Sequence, residues 1–96
     1  MYAVIFTAEI AELDEEYTRT ATHLRQLAIE RYGCRDFVSC TEGVREIAVS
    51  YWDTEEQIRI WKEDPEHLAA QKMGREKWYR SWSVEVVEVR RTYGSP

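Results

Sequence analysis

The residues with the widest chemical scope in this chain fall between positions 61 and 78. His67, Gln71 and Arg75 recur at a spacing of four, which puts them on one face of a helix. His67 lies in the first turn of that helix, where the positive end of the dipole disfavours an imidazolium. A neutral imidazole facing an apolar pocket can take a proton from a phenol or an activated C–H. One or two turns further on, Gln71 or Arg75 could hold the resulting carbonyl or enolate oxygen, as an oxyanion partner must. Trp61 and Trp78 flank the histidine and could stack on a flat aromatic substrate. Each residue also has a plainer role open to it. His67 suits a helix start, bonded to Glu63, Glu66 or water. Gln71 and Arg75 suit a solvated face or a dimer contact, and the tryptophans suit the space between helices and sheet.

Tyr51 and Trp52 end a strand and point to opposite faces of it, so one faces the helices; either could line a pocket or pack in the core. Gly74 inside a helix costs about 1 kcal/mol relative to alanine, which implies close approach of another element or room for a ligand. His23 reads as a surface residue of the first helix. The string Glu12, Asp14, Glu15, Glu16 reads as an acidic helix start and not as a metal site. No nucleotide cradle, nucleophile elbow or metal-ligand cluster is present, so the expected cofactor and metal demand is none.

The elements that must position these residues form one domain over 1–96, ordered to about 93 with a short tail at 94–96. A monomer of 11.4 kDa is expected to expose ~5,800 Å² and bury about 65% of its unfolded surface, a thin core that a second subunit would help. A formal net charge of −5 disfavours nucleic acid and anionic lipid. No apolar run reaches the ~20 residues of a membrane span, and the Met-Tyr-Ala-Val-Ile-Phe start lacks a basic leader, so a cytoplasmic location is expected. Cys34 and Cys40 lie six apart in a stretch that reads as extended, about 20 Å if fully so, and are expected to be free.

Tyr2–Ala8 reads as a strand covered on both faces. Leu13, Tyr17, Ala21, Leu24 and Ala28 predict a helix over 13–32, begun by Asp14 or a neighbour and ended by Gly33. Cys34–Thr41 and Arg45–Trp52 predict a hairpin turning at Glu42-Gly43. Asp53 with Glu56 predicts a capping box for a short helix to about Glu63. Asp64-Pro65 starts the last helix, expected to reach Tyr79 or Arg80, and Val84–Val89 forms the closing strand. The order β-α-β-β-α-β predicts an α+β, ferredoxin-like antiparallel four-stranded sheet with helices on one face. Strands apolar on both faces need a second cover, and a second copy of the chain would supply it as a two-fold dimer.

Tyr51-Trp52-Asp53, Trp61-Lys62, Glu66-His67-Leu68, Ala70-Gln71, Gly74-Arg75 and Trp78-Tyr79 together resemble the antibiotic biosynthesis monooxygenase family. The resemblance is dense over residues 44–93 and a matter of pattern before that. It implies a dimeric α/β barrel, paired through the sheet faces. It also implies a cofactor-independent monooxygenase acting on a small electron-rich aromatic such as a phenol, anthrone or quinol, with molecular oxygen as co-substrate. Within that reading His67, Trp61 and Gln71 are the catalytic candidates, and Tyr51, Trp52, Arg75 and Trp78 the substrate-binding ones. The resemblance also covers haem-degrading enzymes and non-catalytic ligand-binding or stress-response dimers. The haem-degrading pattern has a Trp, matched by Trp61, then a His ten residues on, where this chain has Gln71. It also has a first-strand Asn, where Phe6 and Thr7 stand here. Haem is therefore disfavoured.

Overall fold

The computed structural model describes residues 1–96. The strands are β1 (Tyr2–Ile10), β2 (Asp36–Glu42), β3 (Arg45–Trp52) and β4 (Tyr79–Glu88). The helices are α1 (Glu15–Arg31), α2 (Glu55–Lys62) and α3 (Pro65–Met73), the last continued by one π-helical turn, Gly74–Trp78. The four strands form an antiparallel sheet in the order β2-β3-β1-β4. This is the expected α+β ferredoxin-like arrangement.

Local chemistry explains most boundaries. Asp14 caps α1 by accepting from the Tyr17 amide at 2.8 Å, and Glu15 and Glu16 occupy the positive first turn. Gly33 ends the helix at φ 81°, and the Cys34 amide returns to the Ala28 carbonyl at 3.0 Å. Asp64 caps α3 through the Glu66 and His67 amides, with Pro65 in the first helical position.

Four expected boundaries differ. The cap of α2 is Thr54 with Gln57, not Asp53 with Glu56: Thr54 accepts from the Gln57 amide, and the Gln57 side chain returns to the Thr54 amide. Asp53 is engaged elsewhere, in an ion pair with Arg35 at 2.6 Å. β2 begins at Asp36 because Cys34 belongs to the helix exit. The hairpin turns at Gly43-Val44, one residue later than expected, with Gly43 at φ 60°. β4 begins at Tyr79, five residues before Val84, because an irregularity at Glu9/Ile10 of β1 lets Ile10 pair with Tyr79.

The register separates two faces. Val4, Phe6, Ala48, Ser50, Trp52 and Phe37 face the helices; Ile5, Ile47, Val49, Tyr51 and Val38 face away. The helix-side core joins Ala28, Cys34, Trp52, Ile58 and Trp61, with Leu24, Leu27, Tyr32 and Phe37 packed around them. Only 12 of 96 residues are buried, so this core is small. Cys34 is buried and free, and Cys40 is exposed and free.

Candidate functional site

Beside that core, the sheet and helices leave a cavity of about 380 Å³. Its floor is Val4, Phe6, Ala48 and Ser50 of the helix-facing strand positions. It opens along β4, where Trp82, Val84 and Val86 stay 48%, 41% and 44% exposed.

Trp61, His67, Gln71, Arg75 and Trp78 all line this one cavity. The common spacing of four holds 67, 71 and 75 on one side, and the π-helical turn carries Trp78 inward, where it is 3% exposed. His67 is the best defined of them. Its Nδ1 lies 3.1 Å from the Trp61 carbonyl oxygen; a carbonyl only accepts, so Nδ1 carries the proton and donates it. Nε2 is then the lone-pair nitrogen, and no protein group occupies it. The ring stacks on Trp61 with centroids 4.3 Å apart and planes 16° apart. Burial holds the imidazole below its ordinary 6.5, and the nearby Lys62 cation adds to the effect. Glu66, a helix-start partner considered for His67, instead meets His23 at 3.0 Å on the surface.

Gln71 donates from Nε2 to the Lys62 carbonyl at 3.5 Å, which leaves its other amide hydrogen and its oxygen for a ligand. Arg75 is exposed and forms no ion pair. Trp78 meets Tyr17 edge-on at 5.3 Å, and its N–H is buried without a hydrogen-bond partner. Nearby, the Lys77 ammonium 2.6 Å from Asp14 holds that carboxyl below the usual range. Tyr79 lies 5.3 Å from Phe6 and 6.3 Å from Tyr17, which completes an aromatic wall. Gly74 is explained by close approach: a Cβ there would stand 2.9 Å from Tyr79 Cδ2.

Two expected substrate-binding residues lie elsewhere. Tyr51 is on the sheet face turned away from the helices, because side chains alternate and β3 places its even positions inward. Trp52 does face the helices but is fully enclosed in the core, with Nε1 donating to Ser50 Oγ at 2.9 Å.

One residue pair was missed. Glu46 is 5% exposed, lines the cavity and accepts from the Tyr79 hydroxyl at 2.7 Å through Oε2. Burial pushes its carboxyl above the ordinary carboxylate range despite that bond, and burial with the facing carboxyl raises the Tyr79 hydroxyl in turn. The signal was available: Glu46 is in phase with Ala48, Ser50 and Trp52, so inward by alternation.

The residues do not fit a resident haem held in the way the haem-degrading enzymes suggest. The position ten residues beyond Trp61 is an amide bonded to a backbone carbonyl, and no group of three or more His, Cys, Asp or Glu side chains is arranged for a metal.

The chain is 41% identical over 91 residues to YqjZ of Bacillus subtilis, an uncharacterised protein; the match covers 94% of this chain and 80% of YqjZ. The chain belongs to the YqjZ family. No protein-family model matches it. Among solved structures, SnoaB, a cofactor-independent oxygenase from Streptomyces nogalater, superimposes with a TM-score of 0.81 at 11% identity, over 98% of this chain and 97% of that one. Rv0793 from Mycobacterium tuberculosis gives 0.81 at 14% identity, over 97% and 98%. An antibiotic biosynthesis monooxygenase gives 0.73 at 10% identity, over 95% and 100%. At these identities the likeness is one of fold, and the YqjZ-type chain has the fold of the antibiotic biosynthesis monooxygenases.

Proposed function

We propose that the cavity binds a flat, electron-rich aromatic with an acidic C–H and oxidises it with molecular oxygen, as a cofactor-independent monooxygenase. The observation that carries this reading is His67: a half-buried imidazole held below its ordinary pKa, its tautomer fixed by the Trp61 carbonyl, with a free Nε2 on a ring lining an apolar cavity. An anthrone-type substrate makes the chemistry balance. Nε2 takes one proton from the ring CH2, and the enolate oxygen is held by Arg75 and the spare Gln71 amide hydrogen. The enolate passes one electron to oxygen, and the radical pair joins as a C–O bond. The imidazolium returns its proton to the distal peroxide oxygen. Loss of the second C–H proton then breaks the O–O bond, and hydroxide leaves and is protonated to water. The sum is CH2 + O2 → C=O + H2O, with every electron supplied by the substrate.

Trp61, stacked behind His67, fixes the imidazole plane, while Trp78 and Tyr17 form the opposing aromatic wall. A second copy of the chain belongs to the same proposal. The helix-free sheet face carries Ile47 and Val38 at 37% and 49% exposure, and the single chain exposes 6850 Å² against the ~5,800 Å² expected of a compact monomer of its mass. Face-to-face pairing of two sheets would cover that face.

Oxygen uptake with anthrone, corrected for autoxidation in buffer, tests the reading. Wild type should consume one oxygen per anthraquinone formed, and His67→Phe should fall to the buffer rate while keeping its circular dichroism. Saturable anthrone binding with no uptake above buffer overturns the enzymatic reading in favour of a ligand-binding dimer.

A further inference from the structure

The chain carries a formal charge of −5, yet the rim of its cavity is positive. Three basic residues line the cavity, and they come from three elements: Arg25 from α1, Lys62 from the end of α2, and Arg75 from the π-helical turn. None has an ion-pair partner. The ion pairs of this protein use Arg19, Arg35, Arg59, Lys77, Arg80 and His23 instead. Nor does the Arg25, Lys62 or Arg75 side chain form a hydrogen bond within the protein. The carboxylates nearest Lys62 in sequence are engaged: Glu63 meets Arg59, Asp64 caps α3 and accepts from the Tyr32 hydroxyl, and Glu66 meets His23. Glu46 is the one acidic side chain lining the cavity, and it is buried and bonded to Tyr79. Three unopposed cations from separate elements thus surround an apolar, aromatic-walled space in a protein whose other surface is acidic.

Long-range repulsion from the net charge works against any anionic ligand, so an anion is favoured only where several cations converge on one site with no carboxylate to neutralise them. Arg25, Lys62 and Arg75 are exposed at their own ends, yet all three line the same largely apolar cavity and none is ion-paired. A rim for a neutral aromatic has no need of three cations, and a rim for an amine would be repulsive. We infer that the ligand is an aromatic carboxylate, whose rings fill the cavity and whose carboxylate is held by Arg25, Lys62 and Arg75. The inference rests on the reading of this cavity as an aromatic site and adds to it the charge of the substrate. Arg75 then serves in two places, near the reacting oxygen and at the rim, while Arg25 and Lys62 are specificity residues only. The other cations without an ion-pair partner, such as Arg45 and Lys72, do not line the cavity.

Isothermal titration with 2-naphthoate, 2-naphthol and 2-naphthylmethylammonium at matched ionic strength reads the charge preference without needing turnover. Wild type should bind naphthoate about tenfold more tightly than naphthol, and the ammonium most weakly. Neutralising one rim cation, as in Lys62→Gln or Arg25→Gln, should weaken naphthoate about two- to fivefold and leave naphthol unchanged. The triple variant with Arg75→Gln should lose the preference, as should wild type when the ionic strength rises from tens to hundreds of millimolar. Lys72→Gln, outside the rim, should change nothing. These side chains are exposed and unpaired, so the variants should fold, and circular dichroism checks that they do. Naphthoate binding no tighter than naphthol, or a preference that survives the triple variant, overturns the inference while leaving the aromatic site standing. Failure of all three probes to bind overturns both.

Discussion

Replacing Gly74 by alanine should destabilise the protein, although the change removes a glycine from a helical segment. Gly74 has φ −58° and ψ −49°, a conformation alanine adopts freely, and on propensity alone alanine would gain about 1 kcal/mol. The obstacle is Tyr79. The new Cβ would stand 2.9 Å from Cδ2 and 3.0 Å from Cε2, where ordinary contact is 3.4–4 Å, so the ring must move by about half an ångström or the turn must open. Neither is free. The ring packs on Phe6 at 5.3 Å, and its hydroxyl donates to the buried Glu46 at 2.7 Å. Overpacking of this kind costs about 1–3 kcal/mol, and loosening a hydrogen bond to a buried carboxyl costs about 1–3 kcal/mol more. Less the propensity gain, the net loss is about 1–5 kcal/mol. At ~4–8 °C per kcal/mol for a domain of this size, the midpoint should drop by at least about 4 °C in thermal unfolding followed by circular dichroism. A midpoint that is unchanged or raised would refute the argument that Tyr79 is fixed by Glu46 and Phe6.

Three further outcomes follow from the same contacts. The Glu46 carboxyl is raised above 4.5 in the folded state, so the native protein binds more protons than the unfolded chain just above that pH, and stability falls as pH rises through the window. Glu46→Gln keeps an acceptor for Tyr79 and removes the titration, so its midpoint should gain on wild type as pH rises from 4.5 towards neutral; a constant difference would contradict the buried carboxyl. Val49→Lys, in the middle of the helix-free sheet face, should leave a folded monomer of about 11.4 kDa by light scattering where wild type gives twice that mass, and a monomeric wild type would remove the dimer. Trp52→Phe loses packing and the bond to Ser50 in a fully enclosed site, and should cost about 1–3 kcal/mol in denaturant unfolding with anthrone binding intact; unchanged stability would contradict its place in the core.

Much of the fold was legible because its signals are local. Asp14, Gly33 and Asp64-Pro65 each satisfy or end a backbone run within a few residues, and the alternation of Arg45–Trp52 separates the two faces of β3 correctly. Where the reading slipped, a distant partner decided. Asp53 is drawn away from the α2 cap by Arg35, and the early start of β4 depends on pairing with Ile10 near the far end of β1. In the candidate site, helical spacing brought His67, Gln71 and Arg75 together, since it needs no knowledge of neighbouring elements. Trp52 could not be assigned that way. Alternation says that it faces inward, but not whether it meets the core or the cavity, and only the position of α2 and Ile58 makes it core. Glu46 was overlooked because a charged residue in a strand is ordinarily solvent-facing; its inward phase was plain, and its partner Tyr79 lies 33 residues away.

The central claim is that His67 Nε2 is the base of an oxidation carried out within this cavity. Its most direct test is the pH dependence of kcat/KM for anthrone oxidation, in wild type and in His67→Gln. Burial holds the imidazole below 6.5, so the wild-type rate should rise through one ionisation below that pH and stay level above it. The glutamine variant, with no base, should lose both the rise and most of the rate. A wild-type profile centred above 6.5, or a variant that keeps the wild-type profile, would contradict the assignment.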